Sequence, residues 1–210
     1  MDSVSHQSQG LRFGPLAGGV AHVCVDMQRL FAEDTPWRAP WMARVLPKVT
    51  ALASRHPHQT VFTRFVPAMQ ADQARGAWRR YWTRWADITL EKLDPALIEL
   101  VPELAPMAPP ASIIDKPSLY SPWFVPAFEA ALAERSARTL VISGTETDIC
   151  VLATVLGAVD RGYRVVVAAD ALCSSSDRSH DALMQLYGQR FSQQVETATT
   201  ADVLAHWPPR

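Results

Sequence analysis

Short apolar runs and amphipathic segments alternate along this chain. Six runs of four to seven residues are dense in valine, isoleucine and other β-favouring side chains, which is typical of buried strands. We predict strands at residues 20–25, 60–66, 112–115, 139–143, 164–169 and 194–197, the last of them at a sheet edge.

Between these runs the apolar positions recur at helical spacing. In the segment 41–55, Met42, Val45 and Leu52 fall on one helical face, and Pro47 marks a kink or an early turn. Strands that alternate with helices predict βαβ units, hence an α/β fold with a mainly parallel six-stranded sheet and helices on both faces. Further helices are predicted at residues 124–135, 179–187 and 201–207, and another is predicted between the candidate caps before Cys150 and Gly162, which closes it.

The domain organisation follows from the same pattern. Residues 1–19 show no hydrophobic period, so they are predicted to form an irregular N-terminal arm. Residues 20–210 contain no internal repeat, long linker or shift in composition. A chain of this length buries roughly 70% of its unfolded surface as one domain. We therefore predict a single domain over residues 20–210.

Charge and cysteine content narrow the class of protein. A formal net charge of −1 gives no reason to expect a nucleic-acid or membrane partner. No apolar run approaches the ~20 residues of a membrane helix, and the first residues lack a signal-peptide pattern. Three cysteines are an odd, sparse set, typical of free thiols in a reducing compartment. We expect a cytoplasmic protein.

The stretch 139–162 places a cysteine at the start of a predicted helix. Gly144 ends the apolar run, and Asp148 is one candidate N-cap. With that cap, Cys150 lies in the first turn, where the partial positive charge favours a thiolate and the backbone N–H is free to bind an oxyanion. The alternative is that Cys150 is a small buried hydrophobe.

Two further side chains follow predicted strands. Asp26 comes directly after the first strand, and Lys116 comes after the third. Because the carboxyl ends of parallel strands share one edge of the sheet, these side chains can converge with Cys150. Cys150 would attack a carbonyl carbon, Asp26 would carry the proton, and Lys116 would stabilise the negative charges. Taken alone, an aspartate at a strand end is more often a cap or loop residue, and a lysine before proline is usually solvated, so the argument depends on all three residues together.

Three segments carry a resemblance to a known family. VCVDMQRLF, IIDKPSLYSPWF and LVISGTETDICVLATVLGAVDRGYRVVVAADALCSSS with the following His180 resemble the isochorismatase-like cysteine hydrolases, a group that includes nicotinamidases and carbamoylsarcosine amidohydrolases. The resemblance covers residues 20 to about 190. It implies a Rossmann-like three-layer α/β/α fold and a catalytic triad of Asp26, Lys116 and Cys150.

The same resemblance implies the geometry around the cysteine. It places a non-proline cis peptide between Thr145 and Glu146, and it implies that the backbone N–H groups of Glu146 and Cys150 hold the oxyanion. Metal-dependent nicotinamidases carry an aspartate and histidines after the second strand, whereas TRFVPAMQAD has no histidine there. Since zinc sites need such ligands, we expect no metal, no other cofactor, and a substrate other than nicotinamide.

A cluster rich in tryptophan, tyrosine and arginine lies between the second and third strands. We interpret it as a lid over the cysteine that supplies an aromatic floor for a planar acyl group, with Trp78 and Trp82 in the pocket. The alternative is packing against a neighbouring subunit, since aromatic residues and arginine are enriched at interfaces, and both can hold together. The aromatic members are Trp78, Tyr81, Trp82 and Trp85.

Other pocket candidates flank the strand ends. Arg64, at the end of the second strand, could pair with a substrate carboxylate through two hydrogen bonds, or it could form a surface salt bridge. Phe31, Tyr120 and Phe124 flank the Asp26 and Lys116 motifs and are predicted to form walls.

These observations favour a metal-independent cysteine amidohydrolase. It would cleave a small amide or ureide and release ammonia through a thioester intermediate, and we expect a homo-oligomer. The alternative is an inactive protein of the same fold that binds a small molecule or serves in assembly. An aspartyl phosphatase is disfavoured because Gln28 stands where a second aspartate is needed, and no GxGxxG motif for a dinucleotide follows the first strand.

Overall fold

The computed structural model describes residues 10–208, and six parallel strands form one sheet in that part of the chain. Every pair of neighbouring strands is parallel, which confirms the predicted fold class. The strands are β1 Val20–Val25, β2 Thr60–Val66, β3 Ser112–Pro117, β4 Thr139–Gly144, β5 Arg164–Leu172 and β6 Val195–Ala198. Their order across the sheet is β3-β2-β1-β4-β5-β6.

Helices fill the connections between the strands. They are α1 Arg29–Ala32, α2 Met42–Arg55, α3 Ala77–Arg84, α4 Pro126–Glu134, α5 Leu152–Asp160, α6 Asp177–Gln189 and α7 Thr200–His206. Short 3₁₀ turns lie at Pro57–Gln59, Ala86–Ile88, Pro95–Ile98, Ala105–Met107 and Pro122–Phe124, and a π-helical turn at Thr147–Val151 leads into α5. No helix among residues 10–208 has the length and apolar character needed to cross a bilayer.

Helices cover both faces of the sheet, as the three-layer prediction requires. In β5, Val165 and Val167 pack in one core with α4, α5 and α6, while Val166 and Ala168 pack in the other core with α2 and α7. This division follows from the strand geometry, since successive side chains point to opposite faces. Both faces are apolar because both are covered.

The element bounds differ from the predictions mainly at their ends. The helix predicted from residue 124 begins at Pro126, because Phe124 belongs to the preceding 3₁₀ turn. Proline is well suited to a first helical position, since its missing N–H would have no helical partner there. The first turn of the cysteine helix is π-helical rather than α-helical.

The direction of the crossovers reverses between β1 and β4, the two central strands. Ligands of open α/β sheets bind at such a reversal, beyond the carboxyl ends of the strands. Here β1 and β4 run close together at that end: a Cβ on Gly144 would lie 2.0 Å from the carbonyl oxygen of Val25. Gly144 also has a φ of +112°, so both space and backbone conformation call for glycine.

The described part of the predicted N-terminal arm, residues 10–19, lies against the β5–β6 edge. Arg164 forms an ion pair with the buried Glu196 and also donates to the carbonyl oxygens of Gly14 and Pro15. The backbone N–H of Phe13 donates to the same glutamate. Residues 1–9 of the predicted arm lie outside the described residues.

Candidate active site

Asp26 lies at the carboxyl end of β1, and its side chain is fully buried. Its φ is +49°, a left-handed conformation that aspartate tolerates better than most residues. The hydroxyl of Thr63 on β2 donates to Oδ1 at 2.6 Å, and the backbone N–H of Asp26 donates to the Thr63 carbonyl at 3.1 Å. The neighbouring strand therefore fixes both the backbone and the carboxylate.

Lys116 reaches Asp26 from β3, across β2. Its ammonium is fully buried and lies 2.8 Å from Asp26 Oδ2, and it also donates to the Tyr120 carbonyl oxygen at 2.9 Å. Burial alone would lower the pKa of this lysine, but the adjacent Asp26 carboxylate and the Cys150 sulfur raise it above its usual value. The pair is thus a buried, hydrogen-bonded ion pair beneath the crevice.

Cys150 completes this cluster from the π-helical turn after β4. The residue is 5% exposed, and the charges of Lys116 and Asp26 both act on its thiol. Burial raises the pKa of the thiol well above its usual value; Lys116 lowers it in part, and Asp26 raises it further. The expectation of a thiolate favoured by the helix start is therefore corrected, because burial, together with the neighbouring Asp26, favours the neutral thiol.

The backbone before Cys150 has the geometry that the family resemblance implies. The peptide between Thr145 and Glu146 is cis, which confirms that expectation. Among residues 10–208, no acceptor takes the backbone N–H of Glu146, whereas those of Ile149 and Val151 both donate to the Glu146 carbonyl. Glu146, rather than Asp148, precedes the helical turn, and Asp148 instead accepts a hydrogen bond from the Ser174 hydroxyl.

A cavity of about 320 Å³ opens above the cysteine. Most of its lining is aromatic, and the polar side chains in it are few. The aromatic lining residues are Phe31, Trp37, Phe65, Tyr81, Trp85 and Tyr120, and the others are Pro36, Glu146, Ile149, Cys150 and Ser175. Phe31 and Tyr120 therefore lie where the sequence predicts walls.

The aromatic cluster on α3 enters the cavity with a different face from the one predicted. Tyr81 and Trp85 line it, whereas Trp82 is fully buried in the core and stacks near Phe65 at 6.1 Å between ring centroids. Trp78 lies behind the wall, 5.0 Å from the Tyr120 ring. The assignment of Trp78 and Trp82 to the pocket is corrected accordingly: the core-facing side of the helix carries Trp82, and its cavity side carries Tyr81.

Two other predicted pocket residues lie away from the cavity lining. Arg64 pairs with Asp115 at 2.7 Å and with Glu99 at 2.6 Å, so its guanidinium is engaged in the surface salt bridge that was its alternative. Phe124 is 77% exposed, because its 3₁₀ turn points it outward. Both corrections remove candidates for binding a substrate carboxylate or ring.

Sequence reasoning does not single out several residues of the site. Thr63 is one, and its signal was a polar side chain in the otherwise apolar strand TVFTRFV, next to β1. Trp37 comes from the loop before α2, and Ser175 from the segment after β5; neither has a local pattern that marks it as part of a pocket. Ser175 donates its backbone N–H to Glu146 Oε1 at 3.1 Å.

The donor set at the cavity gives no metal-binding constellation. Among residues 10–208, no three His, Cys, Asp or Glu side chains are grouped so that they could hold a metal ion. His180, the histidine of the downstream motif, contacts the Thr147 hydroxyl at 2.8 Å through Nδ1. It is therefore placed to support the π-helical turn.

Comparison with known proteins agrees with this fold. A cysteine hydrolase from Pseudomonas syringae pv. phaseolicola 1448A has a similar structure, with a TM-score of 0.77, 22% identity, and coverage of 94% of this chain and 96% of that one. An N-carbamoylsarcosine amidase from Thermoplasma acidophilum gives a TM-score of 0.65 at 19% identity, over 86% of this chain and 96% of that one. At these identities the likeness shows the fold alone.

Sequence comparison adds local similarity to curated proteins. A probable hydrolase of Escherichia coli (strain K12), YcaC, is 33% identical over 72 residues, which are 34% of this chain and 35% of that protein. The matched stretches span 19 to 37% of the lengths of the curated relatives. The model of the isochorismatase domain matches residues 20–199, which is most of the chain. The chain therefore belongs to the isochorismatase domain family.

Proposed function

We propose that this protein is a metal-independent cysteine amidohydrolase that cleaves a small amide or ureide and releases ammonia. One observation carries the proposal: the buried Asp26 carboxylate is in contact with the Lys116 ammonium and the Thr63 hydroxyl, and the charges of Asp26 and Lys116 both act on the Cys150 thiol. The cysteine also lines the cavity. A base, a nucleophile and a substrate space therefore adjoin each other.

The first step would transfer a proton and form a bond. The Cys150 thiol gives its proton to Asp26 as the sulfur bonds to the carbonyl carbon, and the carbonyl π electrons move to oxygen. A raised thiol pKa makes this coupling to a base necessary, because little thiolate exists beforehand. The backbone N–H groups of Glu146 and Cys150 would bind the oxyanion, and that of Glu146 has no acceptor among residues 10–208.

The second half of the reaction reuses the same proton carrier. Asp26 returns the proton to the leaving nitrogen, the C–N bond breaks, and ammonia departs from a thioester. Water then adds to the thioester carbonyl while Asp26 takes one of its protons. The C–S bond breaks, the sulfur recovers the proton from Asp26, and a carboxylic acid or, from a ureide, a carbamic acid is released. Lys116 keeps the carboxylate oriented throughout.

The residues at the site support chemistry without a metal. The cavity lining includes one carboxylate and one thiol, and neither belongs to a group of three metal-ligating side chains among residues 10–208. Structural and catalytic zinc sites draw on three or four such ligands. The polarisation of the carbonyl is therefore assigned to backbone N–H groups.

A screen for ammonia release tests the proposal. Small primary amides and ureides are incubated with the wild type, Cys150→Ala and Cys173→Ala, with the last as a matched control because Cys173 is buried but does not line the cavity. We expect Cys150→Ala to lower turnover about 10⁴-fold or more, and Cys173→Ala to stay near wild type. An acyl adduct on the Cys150 peptide, trapped by acid quench and mass spectrometry, would identify the thioester. Turnover in Cys150→Ala close to the wild-type rate would refute the mechanism.

A further inference from the structure

The side chains that line the cavity include a carboxylate but no cationic group. Six aromatic rings line it, with Glu146 as the carboxylate, and no lysine, arginine or histidine is among the lining residues. Asp26 already has Lys116 as its counter-ion. Glu146 has none: within residues 10–208 no cationic side chain lies within ion-pair distance of it. An anionic group entering this space would be desolvated without a partner.

The rings that line the cavity pack against one another at several angles, and two pairs of them, Phe31 with Trp37 and Phe65 with Tyr120, are stacked. Trp37 is the common wall: its ring centroid is 5.7 Å from that of Trp85 at an interplanar angle of 77°, and 6.1 Å from that of Tyr81 at 46°. Trp37, Tyr81 and Trp85 all line the cavity, so a ligand in it contacts several aromatic rings. An aromatic lining of this kind suits quaternary and substituted ammonium groups, because their charge is attracted by aromatic ring faces.

Glu146 lines the same cavity as these aromatic rings. Its Oε1 accepts the backbone N–H of Ser175 at 3.1 Å, so the carboxylate is held in place. Burial raises the pKa of Glu146, which the Ser175 hydrogen bonds only partly offset. A cation bound beside it would remove the penalty that burial places on the charged form.

We propose that the acyl half of the substrate carries a compact, substituted ammonium group that sits among Trp37, Tyr81 and Trp85 and faces the Glu146 carboxylate. This inference rests on the proposed amidohydrolase function, since it places the amide carbonyl at Cys150 and the cation among the aromatic rings of the same cavity. A cavity of about 320 Å³ suits a small head group with its amide. The bound cation would serve as the counter-ion of the Glu146 carboxylate.

A flat neutral ring is the competing occupant of an aromatic pocket. It would gain stacking and apolar burial, but it would seal the Glu146 carboxylate away from water with no positive partner. A cationic group gains from the ring faces and from the carboxylate together. Arg84 lies over the Trp85 ring, 5.4 Å from its centroid, but it is exposed and does not line the cavity, so it does not fill this role.

An isosteric pair of amides isolates the charge. The cationic member is acetamide with a trimethylammonium group on its methyl carbon. The neutral member is 3,3-dimethylbutanamide, which has the same shape and differs in one atom, a carbon in place of the quaternary nitrogen. Binding to Cys150→Ala is measured by calorimetry, so that no turnover is needed. We expect the cation to bind at least about tenfold more tightly than the neutral isostere. A smaller difference, a preference for the neutral compound, or no binding of either overturns the inference.

Variants in the same background locate the preference. Glu146→Gln keeps the shape and the acceptor for Ser175, and Trp85→Leu removes one ring; each is expected to reduce the cation preference to about threefold or less. Trp41→Leu is the matched control, because Trp41 is a tryptophan that is 38% exposed and lies outside the cavity lining. If both test variants keep the full preference, the cation lies elsewhere and the inference fails.

The two proposals fail in different ways. If the cation binds selectively to Cys150→Ala but the wild type releases no ammonia from any amide, the binding inference stands and the hydrolase proposal falls. If the wild type hydrolyses neutral or anionic amides through Cys150 and the cation preference is absent, the hydrolase proposal stands and the substrate inference falls.

Discussion

The floor and the wall of the cavity are built on different principles. The floor is the buried cluster of Asp26, Lys116 and Thr63 under Cys150, and nearly every polar atom in it has a partner within 3 Å. The wall consists of aromatic rings that pack against one another, at centroid distances between 5.7 and 6.4 Å. The floor is carried by β1, β2 and β3, whereas the wall draws its rings from α1, β2, α3 and the loops between elements.

The difference between the floor and the wall predicts which substitutions the protein tolerates. Neither partner of a buried ion pair can be substituted without a large loss of stability, because removal of either one leaves an uncompensated charge in a region without water. A ring in a half-exposed wall can be exchanged at the cost of its contact area. Substitutions in the floor should therefore reduce catalysis and stability together, whereas substitutions in the wall should mainly change which ligand binds.

Asp26→Asn breaks the floor and has the largest expected effect. The amide cannot accept the thiol proton, so turnover of any amide substrate should fall about 10³- to 10⁴-fold. Lys116 is also left without its counter-ion in a fully buried position, which should cost about 3–5 kcal/mol of unfolding free energy. Steady-state ammonia release and urea denaturation measure the two effects. A stable variant with near-wild-type turnover would show that Asp26 is neither the base nor the anchor.

Trp82→Ala and Trp85→Ala compare the two sides of one helix. Trp82 is fully buried in the core, so its loss should cost about 3–5 kcal/mol of unfolding free energy. Trp85 lines the cavity and is half-buried, so its loss should cost about 1–2 kcal/mol and weaken ligand binding about tenfold. Denaturation and calorimetry on the same two variants give the comparison. Equal stabilities would place Trp85 in the core as well.

The floor could be predicted from the sequence because few arrangements satisfy its residues. Asp26, Lys116 and Cys150 each follow a predicted strand, and in a parallel sheet such positions meet at one edge. The ionisation of Cys150 was wrongly predicted, because the helix start was weighed without the burial of the thiol and the nearby carboxylate. Burial depends on elements distant in sequence, which a local pattern does not report.

The wall was predicted only in part. The aromatic residues of the α3 region recur at intervals of three and four, so the stripe indicates an apolar face but not which edge faces a core and which a cavity. Trp37 comes from a loop 44 positions before Tyr81. Such a contact is set by how loops close over the sheet, and neither propensity nor periodicity encodes it. Arg64 and Phe124 were misassigned for other reasons: Arg64 is engaged by Asp115 and Glu99, and the 3₁₀ turn of Phe124 points its ring outward.

A buried histidine on β1, His22, predicts that the folded protein loses stability in acid. His22 lies four residues before Asp26 on β1, fully buried between the hydroxyls of Thr60 and Ser143 at 3.2 and 2.8 Å. Burial, with a smaller contribution from His56, lowers its pKa from 6.5 to about 3. The folded state therefore keeps His22 neutral while the unfolded chain binds a proton below about pH 6.5.

Above pH 7 the protonation of His22 should therefore not reduce the free energy of unfolding. As the pH falls from 6.5 toward 3, this free energy should decrease. The expected slope is about 1.4 kcal/mol per pH unit for this histidine, or about 2–3 kcal/mol at pH 4.5. Urea denaturation of the wild type and His22→Gln at pH 7.5 and 4.5 measures it, and the variant should show the smaller loss. His58→Gln, at an exposed position, should keep the wild-type dependence. A His22→Gln variant with an unchanged pH dependence would contradict the assignment.

Arg64→Gln has the smallest expected effect and completes the comparison at the rim of the site. Its partners Asp115 and Glu99 are 50% and 61% exposed, so the loss of these ion pairs should change the unfolding free energy by less than about 1 kcal/mol. Because Arg64 lies outside the cavity lining, KM and kcat for any amide substrate should stay within about twofold of wild type. A rise in KM of tenfold or more for a carboxylate-bearing amide would show instead that Arg64 leaves its salt bridge to bind the substrate. The wall would then contain a cationic residue after all, and the preference for a cationic substrate would have to be abandoned with it.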